Sequence, residues 1–406
     1  MVLLGQLHTF AFPSPLLDMQ LLEVTNASTV KAFLDLPSSI YQDHPNWIRP
    51  LDKDIEQVFD PKQNPNFRNG TAIRWILRNS QGQTIGRVAA FVNNKTKNAS
   101  EYVTGGMGFF ECINDQSAAN ILFGTCQKWL AAQGMEAMDG PINFGERDRW
   151  WGLLVQGFTE PNYGMFYHPP YYQQLFEAYG FQVYFKQYTY YMDTHARFGE
   201  KVYQRAAALD ATPGYSFGHP SKNNLEKLAQ DFLEVYNKAW AGHSGINEMT
   251  LEKALKMVKS MKPVMVEQII NFVYFEGKPI AFFIMLPELN QIFKHLNGKF
   301  NLPAKLKFLY HRWRYNKRND KKVFGVIFGV VPEFQSKGVD SYMIVHAQGP
   351  LNDYGAREIE MNWVGDFNPK MMLVTRGLGA RIYKTHVTYR KIFDPSKPFT
   401  RYPIIK

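Results

Sequence analysis

One order of strand-like and helix-like runs occurs twice in this chain, and that recurrence narrows its fold more than any single motif. In the first half QLLEV reads as a short strand, and Asn26 and Ser28 stand where a helix cap belongs before VKAFLDLPSSIY. A loop of prolines and asparagines (PKQNPNFRNG) leads to AIRWILRN and TIGRVAAFVN, two strands joined by the turn SQGQ. MGFFECI, the helix-spaced AANILFGTCQKWLAAQGM, AMDGPINF, YYQQLFEAYGF and the strands of QVYFKQYTYYMD complete it. The second half runs through the helices LEKLAQDFLEVYNKAW and TLEKALKMVKSM, the hairpin INFVYFEG/KPIAFFIMLP and the buried strand VFGVIFGVV. SYMIVHAQGPLNDYG (helix), REIEMNWV (strand), PKMMLVTRGLGA (helix) and IYKTHVTYRKI (strand) follow. Both halves therefore read strand–helix–helix–hairpin–strand–helix–strand–helix–strand. That is an α/β fold on a mixed sheet, present in two tandem copies.

With 406 residues, two domains of about 200 residues are expected. The pattern divides into an N-terminal extension over 1–18, a first domain over 19–195, a linker over 196–218 and a second domain over 219–406. The extension has no basic residue ahead of its apolar part and no small-residue cleavage site, so it reads as dispensable chain and not as a leader. Two cysteines, Cys112 and Cys126, are too few for a disulfide framework or a four-ligand zinc site and suit the reducing cytoplasm. The ten histidines show no H-x-x-H or HExxH spacing, so no metal is expected. No apolar run approaches the ~20 residues of a membrane span.

Charge is unevenly placed. Residues 1–195 carry 14 Lys+Arg against 18 Asp+Glu, whereas residues 196–406 carry 32 against 18. An anionic ligand is therefore expected in the second half. There, VVPEFQSKGVD (330–340) reads as a strand that stops at Pro332 and a helix that starts after Gly338. The unpaired amides at such a helix start, with its dipole, favour an anion. Lys337 adds charge, and Gly338 permits close approach or a positive φ.

The longer stretch FGVVPEFQSKGVDSYMI resembles the acyl-CoA-binding segment of the GNAT N-acyltransferase superfamily. There a strand ends in a V-x-P-like turn, and a Gln/Arg-x-x-Gly-x-Gly/Ala loop opens the next helix; Gln335, Gly338 and Asp340 occupy the three places here. The resemblance implies that the amides of Gln335, Ser336, Lys337, Gly338, Val339 and Asp340 hold the pyrophosphate of acetyl-CoA or another acyl-CoA. It also implies that the strand end at Val330 and Val331 splays open to pair with the pantetheine arm. Asp340 departs from the usual small residue, although a carboxylate in a helix's first turn is favoured by ~0.3–1 kcal/mol.

Downstream, NWVGDFNPKMMLVTRGLGA resembles the family's next strand, its Asn (Asn368) and its helix closing at Gly379-Ala380. In the first half FFECINDQSAANILF stands at the CoA-loop position without a glycine and with Glu111 and Asp115, which implies a copy degenerate for CoA. DGPINFGERDRWWGLLVQGF and YHPPYYQQLFEAYGF give the whole chain its resemblance to a bacterial group of tandem GNAT-like proteins.

Acyl transfer from a thioester needs a neutral amine, a donor for the oxyanion and a proton for the thiolate. Where the family often places a tyrosine acid, the two halves carry Phe176 and Thr375, neither of them an acid. Tyr383 and Tyr389 on the last strand are substitutes, or half-buried strand tyrosines. REIEMNWV puts Glu358, Glu360 and Asn362 on one strand face, either lining a cleft or facing solvent. In GERDRWW, Arg147 and Arg149 are expected to grip an acidic group at the domain interface with Trp150 and Trp151 as apolar walls. The alternative is a surface ion-pair set over buried tryptophans.

Residues 294–322 carry ten Lys+Arg and only Asp320 as an acid, with Leu306, Phe308, Leu309, Tyr310 and Trp313 at helical spacing. Three readings stand: a solvated helix packed on the core, a surface for anionic membrane, or one for nucleic acid. The function expected is acyl-CoA-dependent N-acylation of an amine, with acetyl as the default group. The alternatives are an aminoacyl-tRNA-dependent transferase resembling the Fem ligases and a non-catalytic CoA- or lipid-binding protein.

Overall fold

The computed structural model describes residues 19–240 and 248–405 of the chain, so the expected extension over 1–18 lies outside it. The first half runs β1 (Gln20–Glu23), α1 (Ala27–Ile40), α2 (Asp52–Phe59), β2 (Gly70–Arg78), β3 (Thr84–Asn93), β4 (Thr104–Cys112), α3 (Gln116–Ala132), β5 (Ala137–Gly140), β6 (Leu153–Gln156), α4 (Tyr172–Tyr179) and β7 (Gln182–Asp193). The second runs α5 (Glu200–Asp210), β8 (Tyr215–Gly218), α6 (Leu225–Trp240), α7 (Leu251–Met261), β9 (Ile270–Phe275), β10 (Lys278–Pro287), α8 (Asn290–Phe293), α9 (Leu302–Asn316), β11 (Lys321–Val330), α10 (Val339–Asp353), β12 (Ala356–Gly365), α11 (Pro369–Gly377) and β13 (Arg381–Ile392).

The expected order is present in both halves, with local chemistry to match. Asn26 caps α1 by accepting from Ser28 N and Thr29 N, in a capping box closed by Thr29. The stretch read as a linker is not one. Val202, Ala206 and Leu209 are buried at helical spacing in α5, and β8 pairs with β9.

All strands join one mixed sheet in the order β1-β2-β3-β4-β5-β13-β7-β12-β11-β10-β9-β8, with β6 beside β13. The last strand of each half thus completes the sheet of the other half. β13 pairs with β5 of the first half, and β7 pairs with β12 of the second. β7 and β13 also pair with each other, each twelve residues long, so the junction is the middle of one sheet. A first-half core gathers around the stack of Phe110 on Phe123, with Phe176 and Tyr389 against it. The second core lies between α6, α7, α10 and strands β9–β12.

Two histidines at the junction are buried and neutral. His168 Nδ1 accepts the Leu154 N–H at 3.1 Å, and His386 Nε2 bonds the Phe166 carbonyl at 3.0 Å. Burial drives both below the ordinary imidazole value, His386 to about 4. A depressed folded-state pKa means that the unfolded chain binds protons first, so stability is intact above pH ~6.5 and falls between ~6.5 and ~4. For His386 alone the loss is about 3 kcal/mol. Denaturation midpoints measured across that window should fall in wild type and flatten in His386→Gln; equal slopes would contradict the assignment.

Candidate functional site

β11 and β12 are parallel neighbours only from Lys321↔Ala356 to Gly325↔Met361. Beyond that pair they part, and a bulge lies on each side of the opening. Val326 is skipped between Gly325 and Ile327 in the register with β10, and Asn362 and Trp363 are skipped in the register of β12 with β7. A bulge adds a residue to one strand, bends it and increases its twist, which accounts for the divergence. From Val326 to Val330, β11 therefore has β10 on one edge and, among the described residues, no strand on the other.

The opening leads to the loop before α10. Ser336 (φ 60°) and Gly338 (φ 87°) both have positive φ, and left-handed positions in a turn before a helix are the backbone feature that anion-binding concavities share. A Cβ at Gly338 would also come 3.3 Å from the Arg205 Cβ on α5, so a side chain there is crowded as well as strained. Gln335 Nε2 ties the loop to the strand end by donating to the Val330 carbonyl at 3.0 Å. Among the described residues no side chain caps α10. Lys337 and Arg205 stand exposed beside these amides, and Asp340 sits in the first turn of α10. Asn368 Oδ1 is used locally, capping α11 through Met371 N at 3.1 Å.

The first half keeps the same plan but closes it. β4 pairs with β5 only over Thr104–Gly106, and a bulge follows at Phe109 (φ 50°). Here, however, the chain after β5 fills the gap: Ile142 N–H donates to the Met107 carbonyl at 2.8 Å, and a Cβ at Gly108 would meet Ile142 O at 1.7 Å. The start of α3 is also taken, because Asp115 Oδ1 accepts from Ser117 N (2.7 Å) and Ala118 N (3.2 Å). Glu111 is buried, accepting from the hydroxyls of Tyr41 (2.7 Å) and Tyr172 (2.9 Å) beside Arg87.

The expected catalytic residues part company. Glu358, Glu360 and Asn362 do share a face, yet Glu360 is fully buried and is not positioned as a base. Its Oε2 binds Lys384 Nζ at 2.5 Å and Asn162 Nδ2 at 2.8 Å, and its other oxygen pairs with Lys322. Burial alone would raise its pKa, but the two ammoniums outweigh that and hold it below the ordinary carboxylate value. Burial brings Lys384 down to about 8 against the pull of Glu360. Glu358 is half-buried three residues before the opening, about 10 Å along the strand. Tyr383 is half-buried on β13, with β7 between it and β12, again about 10 Å away.

Other tyrosine and threonine candidates serve structure. Tyr389 donates to Glu177 Oε1 at 2.9 Å, Thr375 donates to its own helix at Met372 O, and Phe176 is core. Asn362, by contrast, sits in the bulge with its Oδ1 accepting from Thr189 Oγ1 (2.8 Å) and Asn162 Nδ2 (3.3 Å). Its Nδ2 has no hydrogen-bond partner among the described residues.

GERDRWW lies against this end of β12: Trp363 Nε1 donates to the Arg147 carbonyl at 3.0 Å. Arg147 rests among Trp151, Phe185 and Tyr402 at 5.4–5.7 Å, and Arg149 lies over Tyr163 at 5.4 Å. Both arginines are exposed, and neither pairs with an acid among the described residues. Trp150 is no cleft wall, because it is buried in the first-half core against Phe109. Sequence reasoning missed Asn162, Lys322, Lys384 and the buried Glu288, whose Oε1 accepts from Tyr163 N at 2.7 Å. Of these, only Lys384 carried a signal, as a lysine inside a strand-like run.

A sheet whose parallel strands part beyond a bulge ahead of a helix start recurs in both halves, open in the second and closed in the first, and that is a tandem GNAT-like fold. A tandem GNAT protein from the clavulanic acid biosynthesis pathway superimposes at TM-score 0.54 and 11% identity, over 94% of this chain and 100% of that one. A GCN5-related N-acetyltransferase from Sphaerobacter thermophilus does so at TM-score 0.50 and 10% identity, over 95% and 98%. In sequence, the chain is 25% identical to a bacterial ceramide synthase of Caulobacter vibrioides (strain NA1000 / CB15N), over 94% of this chain and 99% of that one. It is also 25% identical to Protein YghO of Escherichia coli (strain K12), over 90% and 93%. No protein-family model matches the chain.

Proposed function

We propose that this protein is an acyl-CoA-dependent N-acyltransferase that binds one acyl-CoA per chain, in the second half, and acylates the amine of a long-chain base. The observation that carries the reading is the contrast between the two helix starts. The amides before α10 have no side-chain cap among the described residues, whereas those of α3 are taken by Asp115. The pyrophosphate would lie on the amides of Ser336 to Asp340 beside Lys337 and Arg205, with the pantetheine arm along β11 from Val330 towards Val326. The thioester would then reach the bulges at Val326 and Asn362.

There the amine attacks the thioester carbon, a C–N bond forms, and the C–S bond breaks. The amide and the CoA thiol leave, and the one proton that the neutral amine loses ends on the departing thiolate. Asn362 Nδ2 is the donor proposed for the carbonyl oxygen. Since Glu358 and Tyr383 both stand about 10 Å off, catalysis rests chiefly on holding thioester and neutral amine together. A fatty acyl group is favoured over the default acetyl by the name of the Caulobacter relative, ceramide being an N-acylated long-chain base. Val326 on β11 and Leu373 on α11 offer exposed apolar surface for such chains.

The test is incubation with palmitoyl-CoA and sphinganine, following thiol release and amide formation by mass spectrometry. Stoichiometric thiol and N-palmitoyl product are expected, with acetyl-CoA at least about tenfold poorer. Turnover of aminoacyl-tRNA instead, or thiol release without amide, would overturn the proposal.

A further inference from the structure

Helix α9 buries one side and leaves a second apolar side in water. Ala304 and Tyr315 are buried, Phe308 stacks on Phe293 at 5.7 Å, and Tyr315 donates its hydroxyl to the Lys322 carbonyl at 2.7 Å. At about 100° per residue, positions 302, 306, 309, 310 and 313 form one stripe ~100° wide, opposite that buried side. Within it Leu302, Leu306, Leu309 and Trp313 are 73%, 65%, 58% and 55% exposed. Lys305 and Arg312 fall on one shoulder of the stripe, and Lys307 and Arg314 on the other. None of these four cations pairs with an acid among the described residues, and residues 294–319 contain no acid at all. The arm's orientation is fixed by the first half, through Lys294–Glu160 (3.0 Å) and Lys299–Asp52 (2.5 Å).

We propose that this face of α9 docks the protein on an anionic phospholipid bilayer, with Leu306, Leu309 and Trp313 inserted and the shoulder cations on lipid phosphates. An apolar stripe between two basic rows is the pattern that an interfacial helix requires. Nucleic acid would engage the cations but leave three leucines and a tryptophan in water. A second copy seated on the stripe would bring basic shoulder against basic shoulder. The proposal stands apart from the acyl-transfer reading, since binding is measured without turnover.

The test is flotation of the full chain with vesicles of phosphatidylcholine, with and without phosphatidylglycerol. Wild type should float with the anionic vesicles, less so as salt rises. Leu306→Ser, Leu309→Ser and Trp313→Ser combined should weaken binding at least about tenfold without changing the melting temperature. Lys305→Glu with Arg314→Glu should remove most of the salt dependence. Flotation of the triple variant equal to wild type would overturn the proposal. So would displacement of wild type from vesicles by tRNA that the triple variant binds equally well, or a dimer that the triple variant dissociates.

Discussion

Glu360→Gln is expected to destabilise the protein by about 3–5 kcal/mol, a large share of the ~5–15 kcal/mol that holds a typical domain folded. The carboxylate is fully buried between Lys384 and Lys322, and Asn162 completes its shell. Removing its charge leaves two ammoniums in a low-dielectric junction without their directly bonded counter-ion and with only the longer-range pull of Glu288, and Lys384 would be the first to lose its proton, since burial already brings it to about 8. Because Asn162 belongs to the first half and Lys322 to the second, the loss should loosen the junction itself. Urea midpoints would show it. Replacing the whole set with Glu360→Leu, Lys322→Met and Lys384→Met should restore most of the stability, because a buried ion pair is often no better than apolar packing of similar volume. If Glu360→Gln instead keeps wild-type stability and loses only activity, Glu360 acts as a base and the structural assignment fails.

Gly338→Trp carries the second large effect, a loss of acyl-CoA affinity of at least about 100-fold, or ~2.7 kcal/mol. Any side chain there is strained at φ 87° and meets the Arg205 Cβ at 3.3 Å, and an indole would cover the amides that open α10. Left-handed strain of about 1–3 kcal/mol leaves the fold intact, which a thermal melt checks.

Element order and the tight turn before α10 were legible because both rest on local chemistry: period, caps, and the glycine at the left-handed position 338. The α5–β8 segment was passed over because its prolines and glycines outweighed the spacing of Val202, Ala206 and Leu209. The strand exchange and the Glu360 network were hidden for a different reason. They depend on which strands neighbour one another, and Asn162 meets Glu360 across 198 positions of sequence. A strand face with Glu358 and Glu360 reads equally as cleft or surface until the lysines opposite are known. The apolar stripe of α9 lay in between: its residues were visible, but which side the core would claim was not.

The central claim is one acyl-CoA site per chain, in the second half. The measurement closest to it is calorimetric titration with a non-reacting acyl-CoA thioether on wild type and on Gly338→Trp. A single site per chain, absent from the variant, is the predicted result. Two sites per chain, or a wild-type isotherm that Gly338→Trp leaves unchanged, would contradict it.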